Sequence, residues 1–306
     1  MTDGLTLFDR TALARNRGRA ADTLAGADFL LAEATDGLLS RFLPVTRGFP
    51  FALDLGAHDG RVGRALLAAG TIGTLVSTES CPALLSRLPA PRLAAHEETL
   101  PFRDESLDLV VSALTLQWVN DLPGAFLQIR RVLRPDGLFL AAIVGGETLR
   151  ELREAFVAAE SEIVGGITPR VAPFVEIRDA GALLQRAGFA LPVVDSDTLT
   201  VRYGDPFALL RDLKSMGWSN ALAERSRAPL RRDVLMRAMQ VYAERNADPD
   251  GRLRATFEFI YLSGWAPDES QQKPLRPGTA RARLADALGT KEISTGALAG
   301  PGTGAD

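Results

Sequence analysis

Apolar residues in the first half of this chain form short runs of strand character that alternate with stretches of helical spacing. The predicted strands cover residues 51–55, 74–79, 92–95, 107–114 and 138–144. Predicted helices cover residues 12–42, 62–69 and 122–133, and a further helix begins at Pro82, a residue suited to a first helical turn. Strands and helices that alternate at short spacing predict an α/β fold, with a parallel sheet and helices on both faces.

The second half has longer elements. They are helices over 147–163 and 177–187, a long strand or a bent pair over 189–203, and a last strand over 255–265. Between them, residues 205–246 are predicted helical, with breaks near Gly217-Trp218 and Pro229. We predict one domain over 1–267, with a helical lid insertion at about 205–246. Residues 268–306 are rich in proline, glycine and polar residues, which predicts a partly disordered tail.

The most informative stretch is the end of the first strand and the turn after it, residues 51–60 (FALDLGAHDG). The strand ends on Asp54, and a turn with Gly56 and Gly60 leads into a helix. In open α/β sheets a ligand binds at the carboxyl end of the strands, where glycine lets the backbone approach it. The spacing Asp54-x-Gly56-x-His58-x-Gly60 resembles the D-x-G-x-G-x-G loop of class I S-adenosylmethionine (SAM) methyltransferases. The dinucleotide spacing G-x-G-x-x-G does not match this loop, which disfavours a dinucleotide cofactor.

Three further segments carry the same resemblance. Glu79 ends the second strand about 20 residues after the glycine turn, the usual distance for an acid that binds a ribose diol. The segment 95–102 (AHEETLPF) and the turn 134–137 (RPDG) are typical of the family. In this family the segment that corresponds to 95–102 covers the adenine of SAM. His96 lies at the position where family members usually have an acidic residue. The resemblance implies a Rossmann-like class I methyltransferase fold with a seven-stranded, mostly parallel sheet, and SAM as cofactor. The residues that it implies for cofactor binding are Asp54, Gly56, Ala57, Gly60, Glu79, His96, Glu97, Glu98, Leu100 and Leu114.

Candidates for the substrate side follow the fourth and fifth strands. Gln117 and Trp118 lie at the usual position for groups that face the methyl donor. Glu147 can pair bidentately with a guanidinium, or be a helix N-terminal acid favoured by the helix dipole. Aromatic residues that can wall the pocket, stack on a cation or pack in the core are Tyr203, Trp218, Tyr261 and Trp265. The arginines at 10–19 are most simply a solvated helix face; the alternatives are docking of an acidic partner and closure over the cofactor.

Motifs outside the cofactor loops resemble the family of complex I assembly factor 5 and its alphaproteobacterial relatives. They are residues 7–10 (LFDR), 116–123 (LQWVNDLP), 145–153 (GGETLRELR) and 264–271 (GWAPDESQ). This resemblance implies an enzyme that acts on a protein side chain, an arginine of a respiratory complex I subunit, by methylation or hydroxylation. One alternative is a malonyl-acyl-carrier-protein O-methyltransferase of biotin synthesis, which is similar in layout. A second alternative is a non-catalytic SAM-binding assembly chaperone.

Composition narrows the function classes. The net charge is −3 and the arginines are spread among acids, which predicts no nucleic-acid partner. Cys81 is the only cysteine and there are two histidines, so we expect no metal site and a reducing compartment. No segment reaches about 18 uninterrupted apolar residues, and the N-terminus lacks the apolar core of a signal peptide. These features predict no membrane insertion and a cytoplasmic location.

Overall fold

Seven strands form one sheet in the order β3-β2-β1-β4-β5-β7-β6 in the computed structural model, which describes residues 6–272 and 289–290. The strands are β1 (Phe49–Leu55), β2 (Ile72–Thr78), β3 (Arg92–Leu93), β4 (Leu107–Ala113), β5 (Leu133–Val144), β6 (Ala190–Tyr203) and β7 (Leu253–Trp265). The helices are α1 (Arg10–Ala20), α2 (Phe29–Phe42), α3 (Arg61–Ala68), α4 (Pro82–Leu85), α5 (Leu122–Val132), α6 (Arg150–Ile163), α7 (Ile177–Arg186), α8 (Pro206–Ser215) and α9 (Arg232–Asn246).

The first five strands are parallel, and β7 runs antiparallel to both of its neighbours, β5 and β6. This topology confirms the prediction of a seven-stranded, mostly parallel sheet. All seven residues of the central strand β4 are buried, because helices cover both faces of the sheet. The parallel topology brings the carboxyl ends of β1, β2, β4 and β5 to one edge, where the cofactor loops lie.

Each face of the sheet has its own apolar core. On one face, Ala52 of β1 belongs to the same buried cluster as Val62 of α3, and α2, α6, α8 and α9 contribute to that cluster. On the other face, Leu53 of β1 packs in a cluster with Phe126 of α5 and Leu184 of α7. Successive residues of β1 thus enter opposite cores, as strand geometry requires.

Two predicted helical stretches are divided in the structure. The predicted helix over 12–42 is wrong as a single element, because a short 3₁₀ turn over Leu24–Gly26 separates α1 from α2. The side chain of Asp9 caps α1 by accepting from the N–H of Ala12 at 3.0 Å. The stretch over 205–246 contains α8 and α9, and Gly217, with φ of +81°, follows the end of α8, which confirms the break predicted near Gly217-Trp218. Apolar residues such as Leu24 continue the periodic pattern across the first break, which is why the pattern alone did not show it.

The chain divides into two compact units, Met1–Asp268 and Glu269–Asp306. All named strands and helices belong to the first unit. The predicted tail over 268–306 lies largely outside the described residues, and the domain boundary at 267 and the lid role of the insertion stay predictions. Within the described residues, no helix is both long and apolar enough to cross a membrane.

Candidate functional site

The turn after β1 places two glycines at the carboxyl edge of the sheet. Gly56 has φ of +70° and Gly60 has φ of +77°, a left-handed conformation that favours glycine. A Cβ on Gly56 would lie 2.3 Å from Cγ2 of Thr115, whose hydroxyl donates to the Gly56 carbonyl at 3.0 Å. The N–H of Ala57 donates to the carbonyl of Thr78 at 2.9 Å. These contacts hold the turn close to β2 and to the loop after β4, and leave no room for a side chain on Gly56.

Asp54 is buried near the end of β1. Its Oδ2 accepts from the N–H of Gly63 in α3 at 3.0 Å, and its Oδ1 has no hydrogen-bond partner among the described residues. Burial raises the pKa of Asp54 to about 7; the hydrogen bond from Gly63 opposes this rise, and the charge of Glu79 adds to it. Asp54 therefore joins the strand to the helix and keeps one oxygen free for a donor.

Glu79 follows β2 and is fully buried. Its Oε2 accepts from the N–H of His58 at 3.0 Å, and its Oε1 accepts from the N–H of Cys81 at 2.9 Å. The guanidinium of Arg17 also donates to Oε2, at 3.3 Å. Burial acts to raise the pKa of Glu79, but the charge of Arg17 and the hydrogen bonds from the two backbone donors outweigh it, so the pKa is lowered. Glu79 is an ionised acceptor at the position predicted for ribose binding.

His58 occupies the place of the middle glycine with φ of +51°. Its Nδ1 lies 3.2 Å from Nη2 of Arg17, and its Nε2 lies 2.8 Å from Oγ1 of Thr115 and 3.1 Å from the carbonyl of Ala113. Because a guanidinium only donates, Nδ1 accepts and Nε2 carries the proton. Burial and the charge of Arg17 lower the pKa of His58 to about 4. His58 is thus a neutral imidazole that braces the turn.

The three polar residues after β3 have different surroundings. Glu97 is 4% exposed, and its Oε1 has no hydrogen-bond partner in the described part of the chain. His96 is partly exposed, and its Nδ1 accepts from the N–H of Glu98 at 3.3 Å. Glu98 pairs with Arg10 and accepts from the N–H of Asp121 at 3.2 Å. Glu97, rather than His96 at the usual position of the acid, therefore supplies the buried carboxylate, with one oxygen that accepts no hydrogen bond from the described residues.

Arg17 extends from α1 into this group of acids, a contact that the sequence pattern did not assign to it. Its guanidinium donates to Oγ of Ser80 and to Glu79, both at 3.3 Å, and its Nη1 lies 3.7 Å from Oε1 of Glu97. Burial acts to lower the pKa of Arg17, and the charges of Glu79 and Glu97 outweigh it and raise the pKa. Arg17 is the counter-ion of two carboxylates that the family resemblance assigns to the cofactor.

A cleft of about 640 Å³ opens in front of these groups. It is lined by Arg10, Leu13, Ala14, Arg17, Ser80, His96, Glu97, Thr115 and Trp118. Trp118 also lines a second space of about 410 Å³, here named the inner cavity, together with Phe174 and Trp218. The ring of Trp118 makes edge contacts with Phe8, Phe174 and Trp218 at centroid distances of 5.4, 5.8 and 5.7 Å. Trp118 therefore stands between the cleft and the inner cavity.

The two leucines of the predicted cofactor site lie in different surroundings. Leu100 is buried in the core formed with α5. Leu114 has φ of +50° and lines an apolar cavity of about 290 Å³ with His58, Met216 and Trp218. This cavity adjoins the glycine turn through His58, so Leu114 lies near the turn whereas Leu100 supports the segment after β3 from within.

The structure brings together only some of the substrate-side candidates. Gln117 is buried, and neither atom of its amide has a hydrogen-bond partner among the described residues. Glu147 is exposed, pairs with Arg150 at 2.7 Å, and lines neither the cleft nor the inner cavity. Of the aromatic residues proposed as a wall, Trp218 lines the inner cavity. Those that line neither space are Tyr203, Tyr261 and Trp265.

Known proteins match the chain along most of its length. A family model described as a methyltransferase domain matches residues 53–141. The mitochondrial arginine-hydroxylase NDUFAF5 of Danio rerio is 38% identical over 289 residues, which cover 92% of this chain and 90% of that protein. The chain belongs to the class I SAM-dependent methyltransferase family. Within this family, the malonyl-[acyl-carrier protein] O-methyltransferase of Halorhodospira halophila is 35% identical over 282 residues, which cover 90% of this chain and 94% of that protein.

A solved structure shares the fold of this methyltransferase-family chain. The YcgJ protein of Bacillus subtilis aligns with a TM-score of 0.54 and 14% identity, over 76% of this chain and 99% of that chain. At this identity the likeness concerns the fold alone. The methyltransferase domain confirms SAM as the cofactor.

The acids at the carboxyl edge of the sheet, of which Glu97 lines the cleft, fit the chemistry of SAM. The cofactor carries two ribose hydroxyls, an adenine amine and an ammonium group, all of which donate hydrogen bonds. Glu79 is an ionised acceptor, and Glu97 and Asp54 each keep one buried oxygen without a partner among the described residues. We assign the ribose to Glu79, the adenine amine to Glu97, and the amino-acid tail to the turn after Asp54, as predictions from this donor and acceptor match.

We expect Arg17 to compete with the ribose for Glu79. A carboxylate oxygen has about two lone pairs, and on Oε2 of Glu79 these already accept from His58 and Arg17. We expect the substitution Arg17→Met to tighten SAM binding about tenfold, because the ribose no longer has to displace an ion pair. Calorimetric titration with SAM measures this change, and Arg15→Met, an exposed position on the same helix, is the control. Unchanged or weaker binding by Arg17→Met would contradict the competition.

Proposed function

We propose that this protein modifies an arginine side chain of a respiratory complex I subunit during assembly of the complex. The observation that carries the proposal is the 38% identity, over 92% of the chain, to a relative named as an arginine-hydroxylase. The motifs that resemble the complex I assembly factor family support the same target. SAM supplies an electrophilic methyl group when it is bound, and the chain's own residues bind and orient the two reactants.

The lining of the inner cavity is suited to a cationic substrate side chain. The rings of Trp118, Trp218 and Phe174 line it, and aromatic faces attract a guanidinium. Arg170 is the charged residue of the lining, and its Nε and Nη2 donate to Oε1 of Glu160 at 2.8 and 2.6 Å. Because Arg170 is already neutralised by Glu160, the cavity favours an arginine over the carboxylate of a malonyl group.

The elements around Trp118 keep water away from the reacting side chain. Phe8 packs on Trp118, and Asn120 accepts from the N–H of Phe8 at 2.7 Å and donates to its carbonyl at 3.1 Å. The N–H of Asp9 donates to the carbonyl of Ala221 at 2.8 Å, which joins the chain before α1 to the segment between α8 and α9. Methyl transfer depends on such alignment and exclusion of water, and hydroxylation likewise needs the target side chain to be held in place.

Mass spectrometry of complex I subunits from cells with and without this gene tests the proposal. We expect an arginine-containing peptide that is heavier by one oxygen or by one methylene only when the gene is present. One oxygen identifies hydroxylation, and one methylene identifies methylation. No mass difference would contradict both reactions and favour the non-catalytic chaperone.

The second candidate function is O-methylation of a malonyl thioester on its carrier protein. Its support is the 35% identity to the malonyl-[acyl-carrier protein] O-methyltransferase of Halorhodospira halophila over 90% of this chain. Rescue of a biotin-auxotrophic strain by this gene would support this function. Failure to rescue at normal protein abundance would exclude it.

We propose a protein substrate as the partner and no nucleic-acid partner. We also propose that the protein acts in the cytoplasm. The described residues include one free cysteine, Cys81, which is buried and fits a reducing compartment. Fractionation of cells that express the tagged protein measures the location directly.

A further inference from the structure

An apolar groove lies on the surface next to the inner cavity, and the function proposed above does not yet use it. The groove has a volume of about 660 Å³ and is formed by α6, the loop that follows it and one residue of the segment between α8 and α9. Its lining includes Phe156, Val157, Ile167, Pro169, Val171 and Glu224. Ile167 is 63% exposed and Val157 is 42% exposed. Neighbouring apolar side chains that remain exposed often mark a surface that binds another protein.

The groove leads toward the cofactor cleft. Arg170 and Val171 line both the groove and the inner cavity, and Trp118 lines both the inner cavity and the cleft. The three spaces therefore follow one another from the surface to the acids that we assign to SAM. A side chain that starts in the groove has to be long to reach Trp118, and arginine has a long chain with a planar cationic end.

The groove carries charged side chains of both signs, and the carboxylate among them, Glu224, is the exposed one. Arg170 is paired with Glu160, and Arg153 donates to the carbonyls of Gly146 and Thr148 at 3.1 and 3.3 Å. Glu224 is exposed at the groove and forms no ion pair with any residue in the described ranges. A carboxylate beside exposed apolar side chains is complementary to a segment that carries apolar residues and a basic residue.

We propose that this groove binds the protein substrate through apolar residues that flank the target arginine, while the target side chain extends through the inner cavity to Trp118. The inference rests on the proposed function and adds to it the docking surface and the chemistry of the docked segment. In an extended substrate segment, apolar residues on either side of the arginine would pack against Val157 and Ile167. A second basic residue in the segment would form an ion pair with Glu224.

The test places a charge in the groove and compares it with a matched position. Ile167→Glu introduces a carboxylate at a side chain that is 63% exposed, and Leu43→Glu does the same at one that is 64% exposed outside the groove. A strain that lacks the gene receives the wild-type chain or either variant at equal abundance. The fraction of modified arginine in complex I subunits is measured by mass spectrometry. We expect Ile167→Glu to lower the initial rate of modification about tenfold, because binding would bury its charge, and Leu43→Glu to leave it unchanged.

The possible results distinguish failure of the docking proposal from failure of the proposed function. If the Ile167→Glu variant modified the arginine at the wild-type rate, the docking proposal would be overturned and the proposed function would stand. An equal loss of modification in the Leu43→Glu variant would have the same meaning. Absence of modification by the wild-type chain would overturn both. Unchanged SAM affinity of purified Ile167→Glu shows that the variant is folded. If that affinity falls, Val157→Glu replaces it, with the same expected loss of modification.

Discussion

Replacement of Glu79 by glutamine is expected to weaken SAM binding about 100-fold, or about 2.7 kcal/mol. The carboxylate is fully buried and accepts from the backbone N–H groups of His58 and Cys81. A glutamine has one acceptor oxygen, so its amide nitrogen would face one of these donors and could not accept from a ribose hydroxyl. Calorimetric titration of the purified variant with SAM measures the loss.

The control for this variant is Glu244→Gln, which makes the same chemical change at an exposed position of α9. We expect it to bind SAM as the wild-type chain does. If Glu79→Gln also bound SAM with unchanged affinity, the assignment of the ribose to Glu79 would be wrong. Thermal unfolding of both variants distinguishes a lost contact from a lost fold.

Asp54 is expected to make the stability of the chain fall as the pH rises. Its pKa is about 7 in the folded chain against an ordinary value of 3.8, so the folded chain binds this proton more tightly than the unfolded chain does. The stabilising contribution of the proton is fully present below the unfolded pKa and is lost as the pH rises through the folded pKa. From about pH 5 to about pH 8, the wild-type chain should lose about 2–3 kcal/mol of unfolding free energy relative to Asp54→Asn.

Urea unfolding of the wild-type chain and of Asp54→Asn at these two pH values measures this difference. His58 has the opposite pH dependence, because its lowered pKa makes the folded chain bind fewer protons than the unfolded one. His58 is present in both proteins, so its contribution cancels in the comparison. A difference between the two proteins that stays constant with pH would show that the pKa of Asp54 is not raised.

Local sequence patterns predicted the parts of the site that the backbone builds. Asp54, Gly56 and Gly60 follow from a strand, a turn and a helix in direct succession, and Glu79 follows from the end of the next strand. The left-handed φ of both glycines agrees with their place in that turn. These features depend on residues that are close in sequence, so a single segment is enough to predict them.

Local sequence patterns could not predict contacts between segments that are distant in sequence. Arg17 lies 62 positions from Glu79, and only the packing of α1 against the cleft brings them together. A partial signal existed, since Leu13, Arg17 and Ala20 share one helix face and Ala20 is buried. Likewise, the sequence could not show that Glu97 rather than Glu98 has a buried oxygen without a hydrogen-bond partner among the described residues, because the pairing of Glu98 with Arg10 depends on the fold.

One complementation experiment tests the proposed cofactor site and the proposed reaction together. A strain that lacks this gene is complemented with the wild-type chain or with Glu79→Gln at equal abundance, and the arginine peptides of complex I subunits are compared by mass spectrometry. We predict one modified arginine with the wild-type chain and its loss with Glu79→Gln, because Glu79 is predicted to hold the SAM on which the reaction depends. An arginine that is unmodified in both strains, or equally modified in both, would contradict this prediction.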